Sequence, residues 1–211
     1  MWNNRREGYL VRGLEYFEKA AARDPKYALA YAGIADSYSI MASLGYDVLP
    51  VNVAMPKAQA AALHAVELDP SLAEAHVSLA YVKLMYEWDW RGSEKEFKRA
   101  IELNPNYPVA HLWYAHDLWA TGHTDDSTRE LQTAVELDPA SLAVITAVGR
   151  QHYLQGQFQQ SVEQYKKAMQ FDPRFVPAHL SMALVYEQMG QSDKSLEEIE
   201  TAQGSWPIPI L

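Results

Sequence analysis

The chain has 211 residues, of which 48% are hydrophobic, with 13 Tyr, 6 Trp and no Cys. That is enough length and apolar content to bury a core, and the lack of Cys excludes disulfides, thiolate nucleophiles, Cys-ligated zinc and iron–sulfur centres. Lys and Arg total 18 against 27 Asp and Glu, a formal net charge of −9, opposite in sign to what phosphate backbones select, which argues against direct nucleic-acid binding. No apolar run approaches the roughly 18 residues of a membrane-spanning helix, and Met1 to Arg6 lead into no apolar leader, so no membrane insertion is expected.

The first predicted element is a helix over residues 9–23 that ends at Asp24-Pro25 and carries Phe17 and Ala20, eight and five residues before the proline. This spacing recurs down the chain. Pro25, Pro70, Pro105, Pro139 and Pro173 each follow Asp or Asn and stand 45, 35, 34 and 34 residues apart, and Pro207, after Trp206, stands 34 further on. Ala65, Ala100, Ala134, Ala168 and Ala202 repeat the alanine. Phe97, Leu131, Tyr165 and Ile199 repeat the bulky residue, with Ala62 the exception. Earlier in each unit a second small residue recurs as Ala35, Ala80, Ala115, Gly149 and Ala183, after Ile34, Leu79, Tyr114, Val148 and Met182. Small residues in register let helices approach closely, and the large ones fill the grooves.

Steps of three and four give the helical period, while Gly122, Gly156 and Gly190 break their units in the middle, so each unit reads as helix, turn, helix. Asp-Pro disfavours helix at the residue before proline and closes the second helix. Ser71 and Glu74 have the spacing of a capping box opening the next one. The units are a half repeat at 9–25, then 28–70, 73–105, 108–139, 142–173 and 176–207, forming one array over 1–211. In 28–70 eleven extra residues, Gly45 to Met55, fall between the helices and are expected to form a loop, either a binding insertion or one folded back on the array. In 73–105 the turn has one extra residue and contains Trp88 and Trp90. At a spacing of two they cannot share a helix face, so one is expected in the core and the other partly exposed.

These residues resemble the tetratricopeptide repeat, whose 34-residue pattern of small, aromatic, Ala and Pro positions matches from about residue 9 to 207. The resemblance implies an all-α fold, a right-handed superhelix (α-solenoid) of helix-turn-helix repeats. The chain begins mid-repeat, and its tail, Gly204 to Leu211, is apolar with no evident capping helix. Both ends suggest a piece of a longer protein, or ends covered by another subunit, which leaves room for homo-oligomerisation through exposed repeat ends. The run Ala30 to Tyr38, then Pro56-Lys57-Ala58, Trp88-Asp89-Trp90 and Phe97 to Ala100, resembles a bacterial subgroup in which the repeats follow a signalling head: a winged-helix domain, a class III nucleotide cyclase or a Ser/Thr kinase. The resemblance implies a regulatory or interaction segment, with a cytoplasmic location expected.

No phosphate-binding glycine loop, dinucleotide fingerprint, nucleophile elbow or zinc-protease helix occurs, so neither catalysis nor a cofactor is expected. His76, His111 and His179 share one repeat position, a repeat or more apart, and are expected to pack in the core or at a groove edge. His116, His123, Asp125 and Asp126 are the one local cluster of ligand-type side chains. The acids suit a helix N-terminus and nothing fixes a ligand geometry, so no metal is expected.

In the family it resembles, the first helices of successive repeats line a concave groove that binds peptides. The corresponding positions here are Val77, Tyr81 and Leu84; Leu112, His116 and Trp119; and Thr146, Arg150 and Tyr153, flanked by Ala32, Asp36 and Ser39 on one side and Leu180, Leu184 and Glu187 on the other. The resemblance thus implies an aromatic and apolar surface with one prominent cation, Arg150, unlike the Lys and Asn set that clamps a C-terminal carboxylate in chaperone-binding members. It implies a non-catalytic protein or peptide binder, with a structural oligomerisation or spacer role as the alternative.

Overall fold

The computed structural model describes residues 7–43 and 48–204; Met1 to Arg6, Gly45 to Asp47 of the insertion and the apolar tail from Ser205 lie outside them. The described residues form eleven α-helices and no strand. α1 (Glu7–Arg23) is the half repeat. Five hairpins follow: α2 (Ala28–Met41) with α3 (Val51–Leu68), α4 (Ala73–Val82) with α5 (Trp90–Leu103), α6 (Pro108–Ala120) with α7 (Thr124–Leu137), α8 (Leu142–Leu154) with α9 (Phe158–Phe171), and α10 (Val176–Gln188) with α11 (Ser192–Gly204). The chain divides into two compact units, residues 4–137 carrying α1 to α7 and residues 138–211 carrying α8 to α11.

The turns follow from the punctuation. Gly122, Gly156 and Gly190 sit at φ 85°, 73° and 70°, the left-handed conformation that ends a first helix and that a Cβ would strain. Between hairpins, the residue before proline folds its own turn. Oδ1 of Asp24, Asp69, Asn104 and Asp172 accepts the backbone N–H two residues on, at 3.0, 2.9, 3.2 and 3.1 Å. The expected Ser71–Glu74 capping box does not form. The Ser71 hydroxyl donates instead to Asp69 Oδ1 at 2.6 Å, and α4 starts after Leu72 with no side-chain cap. The helix starts one residue later than the box requires: its N-cap is Leu72, which leaves Ser71 outside the capping position.

Within hairpins, a recurring serine ties the two helices together. Ser93, Ser127 and Ser161, at the starts of α5, α7 and α9, donate to the carbonyls of Ala80, Ala115 and Gly149 at 3.1, 2.6 and 2.7 Å. The acceptors are the small positions of the repeat, where a short side chain gives the serine access to the backbone. Each such buried bond contributes on the order of 1 kcal/mol net.

In residues 4–137 two of the core clusters join successive helices. Ala35, Tyr38, Ala58, Ala62, Leu79 and Val82 join α2, α3 and α4, while Val77, Ala80, Leu84, Phe97, Ala100, Tyr114 and Leu118 join α4, α5 and α6. In residues 138–204, Ile145, Val162, Tyr165, Phe175, Met182 and Val185 form the corresponding cluster. Phe97 and Tyr165, both at the bulky repeat position, are the two largest fully buried side chains.

Two insertions resolve differently from expectation. Of the eleven extra residues in 28–70, Val51 to Met55 are helix, because α3 begins after Pro50 and Ala54 and Met55 are buried in the core. Burying those two side chains, with the N–H groups of Val48 and Leu49 bonded to the Met41 carbonyl, favours a longer helix over a loop. The surplus residue of 73–105 is taken up in a π-helical turn, Lys83–Glu87, that continues α4 and ends with Trp88 left-handed at φ 57°. Contrary to the expectation of one core tryptophan, Trp88 and Trp90 are 69% and 37% exposed and pack on each other edge to face at 5.7 Å. The left-handed residue turns the chain outward at the hairpin's loop end, so neither ring reaches the core. Asp89 then caps α5 by accepting from the Gly92 N–H at 2.9 Å, and that N–H with Lys83 holds its carboxyl below the usual range.

Candidate functional site

The nine groove positions separate by burial. On α4, Val77 and Tyr81 are buried, as is Leu84 on the π-helical turn, and on α6 Leu112 is buried too. Val77 and Leu84 belong to the core shared with α5 and α6. The reason is local: α4 is packed against α2, α3, α5 and α6, so almost every face of it meets another helix. Tyr81 lies edge-on to Trp113 at 4.7 Å, and Trp113 lies edge-on to His116 at 5.0 Å, a run of rings crossing from α4 to α6. His116 is half-buried, and Trp119 at the end of the helix is 39% exposed. Of the flanking residues, Ala32 and Ser39 are buried and Asp36 accepts the Ser78 hydroxyl at 2.6 Å.

In residues 138–204, Thr146 is half-buried and its hydroxyl donates to the Leu142 and Ala143 carbonyls of its own helix at 2.7 and 3.0 Å. Tyr153 packs with Phe158 against the core at 6.0 Å between ring centroids. Arg150 is exposed, as are Glu187 and, at 59%, Leu184, while Leu180 is half-buried. The exposed groups on first helices at the expected positions are therefore Trp119 in one unit and Arg150, Leu184 and Glu187 in the other.

Sequence reasoning missed two polar features. The first is Asp117 on α6, 1% exposed beside Ser93, with Oδ1 unbonded. Burial, with Glu94 adding to it, pushes its carboxyl up to about 6 against the counter-effects of Ser93 and His123. The second involves the three equivalent histidines. Each is buried, but as the centre of a hydrogen-bonded bridge. Nδ1 of His76, His111 and His179 lies 2.6 Å from Glu96, Glu130 and Glu198 of the second helix. Nε2 lies 3.0, 2.9 and 2.9 Å from the carbonyls of Pro70, Pro105 and Pro173 in the preceding turn. The signal was in the chain: each of these acids stands immediately before the bulky residue of its repeat. Of the metal-type cluster, His123 Nδ1 meets the Thr121 hydroxyl, Asp126 pairs with Arg129 and Asp125 lies in the first turn of α7. Among the described residues no three such groups could hold a metal ion. Among them, too, no helix is long and apolar enough to cross a membrane.

Comparison with known proteins gives the same architecture. Residues 149–190 match the TPR repeat family model, whereas no curated protein matches by sequence. Among solved structures, YrrB, described as a TPR protein with an unusual peptide-binding site, aligns at 21% identity and a TM-score of 0.51 over 93% of this chain and 95% of that one. PilF of Pseudomonas aeruginosa aligns at 19% identity and a TM-score of 0.59, over 82% and 77% of the two chains. The human IFIT1 dimer with m7Gppp-AAAA gives a TM-score of 0.77 at 21% identity, over 92% of this chain but 45% of that one. The hairpins, their glycine and proline turns and these likenesses together assign the chain the tetratricopeptide-repeat fold, with the repeat itself matched at 149–190.

Proposed function

We propose that the chain is a non-catalytic interaction module that binds a peptide or partner helix along its first helices, as the regulatory part of a larger bacterial signalling protein in the cytoplasm. The observation that carries this reading is the exposure of the large side chains of Trp119 and Leu184 on helices whose other large apolar residues are buried or half-buried. Exposed large apolar side chains on a rigid scaffold are where partner binding concentrates, and an aromatic anchor contributes most of all. Arg150, exposed on α8, supplies a cation that can pair with an acidic side chain of the partner.

The test is an affinity capture from source-cell lysate with the immobilised full chain and with a W119A/R150A variant, both shown to be folded by circular dichroism. Proteins retained by the wild type and lost by the variant support the reading and name the partner. Equal retention by both overturns it for these residues, and a change in sedimentation on dilution would favour the oligomerisation or spacer role instead.

A further inference from the structure

The bridges made by His76, His111 and His179 impose a condition on protonation. A backbone carbonyl only accepts hydrogen bonds, so Nε2, 2.9 to 3.0 Å from the proline carbonyl, carries its hydrogen in all three. Nδ1 then faces a carboxylate oxygen at 2.6 Å. An imidazole with its one hydrogen on Nε2 presents a lone pair at Nδ1, and an ionised carboxylate offers only lone pairs in return. Contact at 2.6 Å therefore requires one more proton between the two groups, on the ring or on the acid. Without it the contact is repulsive and the bridge must open.

The pairing is selective along the chain. Repeats 73–105, 108–139 and 176–207 have both the histidine and the glutamate, whereas 28–70 has Tyr31 and Ala61 at these places and 142–173 has Ile145 and Gln164. The two residues occur together or not at all. Each bridge also joins three separate pieces: the turn from the preceding repeat, the first helix and the second helix.

We propose that the three His–Glu pairs are proton-holding clamps, each fixing a hairpin to the turn before it and opening when the shared proton is lost as pH rises. The hydrogen bond to Glu130, aided by the Pro105 carbonyl and opposed by burial, raises His111 above its ordinary value of 6.5. A group raised by folding takes up its proton as the chain folds, so its stabilisation is complete below 6.5 and is lost as pH climbs through the higher folded value. Other charges face the clamps. Asp69 of the preceding turn acts with His76, whose hollow is also lined by Arg91, Glu94, Lys95, Lys98, Arg99 and Glu102 of α5. Glu130 shares its surroundings with Lys98 and Glu94 around Tyr114, and Glu198 with Glu197 around Tyr186. Asp117 is raised as well and contributes a dependence of the same sign, centred lower.

The experiment follows Tm of the full chain by circular dichroism from pH 6 to 9 in a D117N background, with and without E96Q/E130Q/E198Q. A glutamine amide can donate to Nδ1 of a neutral imidazole and keep the bridge without the extra proton. The expected result is a Tm that falls with pH in the parent and is nearly flat in the triple variant. In unfolding constants, each clamp accounts for at most a tenfold change per pH unit. E130Q alone should remove part of the slope, which provides the reading if the triple variant does not fold. ¹⁵N spectra of labelled histidine should show three rings, absent from the triple variant's set, whose state changes together with the melting. A slope that is the same with and without the glutamines, or no slope in the parent, overturns the proposal.

Discussion

The most direct test of the electrostatics is Asp117→Asn. The side chain is 1% exposed, one oxygen has no hydrogen-bond partner, and burial lifts the carboxyl from 3.8 to about 6. At ~1.4 kcal/mol per pH unit, holding the ionised form in this site costs up to ~3 kcal/mol. The Ser93 contact and local relaxation return part of that, so a gain of ~1–2 kcal/mol is expected on removing the charge. Because folding raises this group, the folded chain prefers it protonated. The penalty is absent below about pH 3.8, builds between there and about 6 and is full above. Urea unfolding followed by tryptophan fluorescence at pH 4 and pH 7.5 should therefore show near-equal stability at the lower pH and a more stable variant at the higher. A variant weaker at pH 7.5, or one that gains as much at pH 4, would refute the account of Asp117 as a buried, incompletely satisfied carboxyl.

Two packing predictions and one of backbone strain use the same denaturation assay. Phe97→Ala empties a fully buried position between α4, α5 and α6 and should cost ~3–5 kcal/mol. Gly149→Ala places a methyl group 2.7 Å from the Tyr165 ring, which is itself buried and cannot swing aside, and should cost ~1–3 kcal/mol. Gly122→Ala meets no neighbour but must hold φ at 85°, so a loss of ~1 kcal/mol is expected from backbone strain alone.

The hairpins were readable because their punctuation is chemical: Gly122, Gly156 and Gly190 take the left-handed turns, and the Asx residues before the prolines fold the connections. The surface was harder to read. α4 is covered on several sides, so Val77, Tyr81 and Leu84 look, in sequence, no different from apolar residues that face a partner. Trp119 is distinguished only by its place at the last turn of α6. The three histidines were seen as equivalent, but their role depends on glutamates 19 or 20 residues away on another helix, which only the repeat register, with each acid just before the bulky residue, connects to them. Trp88 defeated helical periodicity because the π-helical turn shifts the angle at which each following residue leaves the axis.

That turn bears on how such arrays lengthen by single residues. The additional residue is housed at the exposed loop end of the hairpin, and from Asp89 onward Ser93, Phe97 and Ala100 occupy the same stations as their counterparts in the 34-residue repeats. The repeat is thus gauged by its contacts and not by its count. Deleting the exposed Met85 from the π-helical turn should shorten the unit to 34 residues with little harm, because Trp88 keeps the left-handed station that Gly122, Gly156 and Gly190 hold elsewhere. Deleting one residue between Ser93 and Phe97 would rotate everything after it by about 100° about the helix axis and swing Phe97 out of the core.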